Sequence, residues 1–107
     1  MTDIDAIPGI IDHVRDGYRG GVLRSIAARE TQLRQLRRML GEFEQTLCEA
    51  LRADLGKSAL EAYTTEIGFT INEIDHTLRH LRSWSNPRRV KLPVHLRPGS
   101  AQIVAEP

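Results

Sequence analysis

Several groups of side chains have the types and spacing that chemistry uses. His76 and His80 lie four residues apart, with Glu73 and Asp75 close by. On a helix this spacing puts both imidazoles on one face, where they can share a metal. The zinc-protease pattern needs a glutamate directly after the first histidine, and Thr77 stands there. No third ligand is evident, so the pair reads as a solvated or inter-helix polar pair. Cys48 falls in the second half of a helical pattern, where the dipole disfavours a thiolate. It is expected to be a small buried apolar side chain. Glu61, Glu66, Glu73 and Asp75 spread along one helix and read as helix surface, not as a paired acid and base.

Basic residues raise the question of phosphate contacts. Arg24, Arg29, Arg34, Arg37 and Arg38 form one group; Arg88, Arg89, Lys91 and Arg97 form another. Glu30, Glu42, Glu44 and Glu49 interleave with the first group, as on a solvated helix face. The second group reads as strand-edge charge that discourages aggregation. Aromatic residues make up only 5% of the chain, too few for a stacking platform, so no nucleic-acid partner is expected. Gly17, Gly20 and Gly21 follow a helix rather than a strand, so they are no phosphate loop. No catalytic, cofactor-binding or metal-ligating residue is nominated.

The elements that would position these groups are mainly helical. Ile7, Ile10, Ile11 and Val14 fit a short helix over 7–16, with a loop or hinge over 17–24. Ser25 can cap a long helix over 25–55. Its seam of Leu33, Leu36, Leu40, Phe43, Leu47 and Ala50 alternates in steps of three and four, broken at Gly41. Gly56 suits the left-handed end of that helix. Ser58 and Glu61 form a capping box for the next helix, over 58–85. Leu60, Tyr63, Ile67, Ile71, Ile74, Leu78 and Leu81 would share its apolar face. The short turn between the long helices makes them antiparallel neighbours with facing seams.

Pro87 ends the last helix, and the period changes from 3.6 to 2. Val90, Leu92, Val94 and Leu96 alternate with charged residues, giving a β-hairpin over 89–105 with a type II turn at Arg97-Pro98-Gly99-Ser100. Pro93 marks an edge strand or a break. Two strands alone are marginal in water, so a partner chain or further polypeptide is expected to complete the sheet.

A chain of 107 residues can own one small core. The net charge of +1 favours no class of partner. No apolar run is long enough to span a membrane, and no secretory signal is visible at the N-terminus. A single cysteine suits a reducing cytoplasm.

These segments together resemble the N-terminal part of the aldehyde dehydrogenase superfamily, on its class 3 or fatty-aldehyde branch. The matching residues include LRQLRRML at 33–40, Ala53-Asp54-Leu55-Gly56-Lys57, Glu61-Ala62-Tyr63, Thr65-Glu66-Ile67-Gly68, Glu73-Ile74-Asp75-His76, Leu78 to Trp84 and Pro87-Arg88-Arg89-Val90. Similarity continues to Ile103-Val104-Ala105-Glu106-Pro107; the Gly17–Val22 region departs from the family's linker.

The resemblance implies a mainly α segment, residues 1–107, of a larger α/β enzyme that oxidises aldehydes to carboxylic acids with NAD or NADP. It places the cofactor loop, the base and the nucleophilic cysteine outside these residues, and Cys48 is not in the nucleophile motif. The segment alone is expected to be inactive, with a structural or oligomerisation role. Its expected partner is the remainder of the enzyme, or a second copy joined through the helix seam and strand edge. The competing class is an independent, dimerising helical interaction module; a nucleic-acid binder ranks third.

Overall fold

The computed structural model describes residues 3–106; Met1, Thr2 and Pro107, the ends of the expected 1–107 unit, lie outside them. A 3-10 turn at Ile4–Ala6 leads into α1, Ile7–Arg19. The helix passes through Gly17 instead of stopping at residue 16. One helical glycine costs only about 1 kcal/mol. Arg15 on Asp12 at 3.0 Å and Arg19 on Asp16 at 3.7 Å support the last turns.

The expected single helix over 25–55 is two helices: α2, Ile26–Glu42, and α3, Glu44–Leu55. Ser25 caps α2 as expected, its hydroxyl accepting from the Ala28 amide at 3.0 Å. The irregular residue is Phe43, at φ −107° and ψ 18°, two residues beyond the glycine. Backbone bonds continue through it: Phe43 donates to Met39 and accepts from Leu47, both at 2.9 Å. The joint is therefore a kink in one rod, of the kind a nearby glycine permits. α3 ends at Gly56, whose φ of 67° is the left-handed value expected there.

Ser58 caps α4, Ala59–Ala62, accepting from the Glu61 amide at 3.2 Å. A π-helical turn, Tyr63–Ile67, then separates α4 from α5, Gly68–Trp84. The hydroxyls of Thr64 and Thr65 donate to the carbonyls of Leu60 at 2.8 Å and Glu61 at 2.7 Å, groups that a widened turn leaves free. The wide turn inserts one residue, which rotates the upstream face by about 100°. The expected continuous face over 58–85 is therefore broken. Leu60 is 75% exposed and Tyr63 42% exposed, while Ala62 is fully buried.

The core lies between α2 and α5. Leu40, Ile67 and Ile74 are buried, with Leu33, Leu47, Cys48, Ile71 and Leu78 packed around them. Half of the expected seam is thus used: Leu33, Leu40 and Leu47, seven residues apart, face inward. Leu36, Phe43 and Ala50 remain exposed. Two ion pairs line the part of the contact that lies away from α3, with Leu33 and Leu78 between them and Leu40, Ile67 and Ile74 beyond the Arg37–Asp75 pair. Arg37 donates to both oxygens of Asp75, at 2.7 and 3.1 Å. Arg82 reaches the buried Glu30 carboxylate at 2.9 Å. Each pair steps seven residues forward on one helix and seven back on the other, which fixes the antiparallel register.

The strand pair is shorter than the hairpin expected over 89–105. β1, Arg88–Val90, pairs antiparallel with β2, Ala101–Ile103, matching Arg88 to Ile103 and Val90 to Ala101. Pro93 has no N–H to donate, and Val94–Leu96 coils into a 3-10 turn after it. Val94 and Leu96 are exposed, so the alternation expected there buries no face in this chain. The expected type II turn is also not formed. It requires positive φ at Gly99, and among the described glycines only Gly21 and Gly56 have that. Gly99 instead permits close approach: a Cβ would sit 2.7 Å from the Leu96 carbonyl oxygen.

Two outcomes test this account. Ile67 is 2% exposed, so Ile67→Ala should cost about 2–5 kcal/mol in urea unfolding, with the far-UV helical signal retained before the transition. The hydrogen bond from Arg37 holds the Asp75 carboxyl below the ordinary carboxylate range. A depressed carboxyl stabilises the fold above that range, and the contribution is lost as pH falls through the folded value. The urea midpoint of the parent chain should therefore drop on acidification, and that of Asp75→Asn should drop less. The difference should be small, since both side chains keep water contact.

Candidate functional site

Apart from the two histidines, the candidate chemical groups do not converge. Asp75 is bound to Arg37, Glu66 to Lys57, and Glu30 to Arg82. The first and last of these pairs hold α2 on α5, and the second ties the 56–57 turn to the π-helical turn. Glu73 stands on the exposed side of α5. Cys48 is half-buried against the Leu40 cluster, close to the small apolar role expected of it. Arg38, Arg88, Arg89, Lys91 and Arg97 are exposed and dispersed between α2 and the strand pair.

The histidine pair does come together. The rings of His76 and His80 are 4.3 Å apart, and Trp84 stacks beside His80 at 5.5 Å with an 18° interplanar angle. His80 Nδ1 lies 2.8 Å from the His76 carbonyl oxygen. Among the described residues no three His, Cys, Asp or Glu side chains group as a metal cage.

The residues present do not form a dinucleotide site either. Such a site needs a strand that enters a glycine-rich turn and then a helix. Here β1 leads into a 3-10 turn, and the strand pair is antiparallel.

What the chain presents instead is uncovered apolar surface. It exposes 8973 Å², where a compact monomer of this mass exposes about 6,000 Å². Its radius of gyration is 20.0 Å, against about 13 Å for a compact domain of this length. No residue of α1 is buried; Ile7, Ile10, Ile11, Val14 and Tyr18 face water along it. Leu36 and Phe43 form a second exposed stripe, and Val90, Ile103 and Val104 a third patch on the strand pair. The repeat of the α2–α3 stripe predicts a facing helix along its whole width. Periodicity places residues on a face but does not say whether the partner is wide enough to cover it. No helix of the described residues is long and apolar enough to cross a membrane.

Comparison with known proteins places the chain in a family. No family model matches the chain. An aldehyde dehydrogenase of Craterostigma plantagineum is 37% identical over all 107 residues, which span 22% of that protein. Aldehyde dehydrogenase family 3 member I1, chloroplastic, of Arabidopsis thaliana is 38% identical over 92% of the chain and 18% of its own length. A 4,4'-diapolycopene-4,4'-dial dehydrogenase of Cytobacillus firmus is 42% identical over 82% of the chain and 19% of its own length. The substrate-bound AldH of Staphylococcus aureus superposes with a TM-score of 0.84 at 30% identity, over 96% of the chain and 22% of that enzyme. The chain spans about a fifth of the length of these relatives. It belongs to the aldehyde dehydrogenase superfamily, among relatives that are mostly family 3 members, and corresponds to the N-terminal part of those enzymes.

Proposed function

We propose that these residues are the N-terminal scaffold of an aldehyde dehydrogenase that converts aldehydes to carboxylic acids with NAD or NADP. Their work is packing and assembly, and they hold none of the reacting groups. The observation that carries this reading is the excess surface of about 3,000 Å² over a compact monomer, together with the large apolar side chains left exposed on α1, on α2–α3 and on the strand pair. A self-sufficient module of this size would fold that surface inward. The family likeness supplies the cover: the remaining four-fifths of such an enzyme. Cys48 is not the nucleophile in this reading. The expected place in the second half of a helix does not hold, since α3 begins only four residues before it; what supports this reading is that Cys48 is half-buried by leucine and isoleucine.

Two measurements test the reading. The purified chain with NAD or NADP and a short or long aliphatic aldehyde should give no rise in reduced-cofactor absorbance. A sustained rise abolished by Cys48→Ser would overturn the scaffold role. Light scattering at high micromolar concentration should give a mass above the 12.1 kDa monomer, because the bare patches find one another. A monodisperse monomer at that concentration would contradict the account of the exposed surface.

A further inference from the structure

The side chains of α5 that the scaffold role leaves unexplained are His76, His80 and Trp84. We propose that His76 and His80 form a two-imidazole chelate for a divalent transition cation, with Cu2+ held most tightly. Three observations converge on it. The ring centroids are 4.3 Å apart on adjacent turns of α5, the i, i+4 placement from which two imidazoles can share one ion. Nδ1 of His80 lies 2.8 Å from the His76 carbonyl, an oxygen that can only accept. The proton therefore sits on Nδ1, and the Nε2 lone pair of His80 is free for a ligand bond. Trp84 stacks on His80 and restricts its ring, so less rotamer freedom is lost on binding.

The nearby acids are otherwise engaged or too far to close a cage. Asp75 is held by Arg37, and no third ligand groups with the pair among the described residues. Water would complete the coordination. Two imidazoles and open positions suit Cu2+ first and Ni2+ or Zn2+ after it, in the usual order of divalent affinities.

Trp84 is the only tryptophan of the chain and reports directly on its neighbours. The experiment titrates CuCl2 into the untagged 107-residue chain and follows tryptophan emission. Saturable quenching at one ion per chain, reversed by EDTA, is expected. His76→Ala and His80→Ala should each shift half-saturation upward by roughly tenfold or more. His13→Ala and His95→Ala, which remove the other two histidines, should leave the curve in place. A non-saturating curve, or one that either of the first two variants leaves unchanged, would overturn the chelate. If those variants lose helical ellipticity, Ni2+ line broadening in the unmodified chain decides. Selective broadening of the His76 and His80 ring signals supports the site, and equal broadening of all four histidines refutes it.

Discussion

Glu30 with Arg82 and Arg37 with Asp75 set the register of α2 on α5, beside the one apolar cluster among the described helices. The spacing matters more than the strength of either pair. A slip of seven residues one way would set Glu30 opposite Asp75. The same slip the other way would set Arg37 opposite Arg82. Both alternatives bring like charges together, whereas the apolar residues alone would tolerate a shift of two turns. With Arg37, Asp75 and Arg82 keeping water contact, these pairs add little to stability. Their contribution is to choose one register from several that burial scarcely distinguishes. Leu40 then meets Ile67 and Ile74, and the positions of α3 and the 56–57 turn follow from that choice.

The contact is small. Among the described residues five apolar ones are buried, and they must hold elements that extend over 62 Å. α1 and the strand pair lie outside its reach. Each carries a face suited to burial and has none of its own residues to cover it. In a chain related to the N-terminal part of much larger enzymes, this is an economical division. One helix pair fixes geometry locally, and in the scaffold role proposed above the outlying elements would meet surfaces elsewhere in the enzyme.

Local signals in the sequence proved dependable where the backbone itself decides. Ser25 and Ser58 cap the helices expected of them, Gly56 takes the left-handed conformation, and the two long segments fold back on one another. The family likeness was equally legible, carried by short runs such as ADLGK and TEIGF in order. What failed was continuity. A period of 3.6 projected through Thr64 and Thr65 assumes an unbroken helix, and two hydroxyls bonding to carbonyls changed the count. At Phe43 the residue types gave no warning beyond the glycine two positions earlier. The strand alternation from Val90 to Leu96 is real in the sequence, but its buried side requires something that these residues do not include. The histidine pair was visible as a spacing. The ring stacking and the proton position it implies were not, since both depend on rotamers and on Trp84.

The wide turn at Tyr63–Ile67 works as a phase adaptor between two halves of one rod. Downstream of it, the rod's inward line is set by α2. Upstream of it, the line is turned by about a quarter revolution, so the segment that leads to α3 looks in another direction. Deleting a single residue there would leave every side chain of α5 where it is. It would also swing Ser58, Lys57 and the whole of α3 around the axis, carrying Leu47 and Cys48 off the cluster they complete. Length at this point is therefore guarded more strictly than chemical character, and an exposed polar site becomes one of the least forgiving places in the chain for an insertion or a gap.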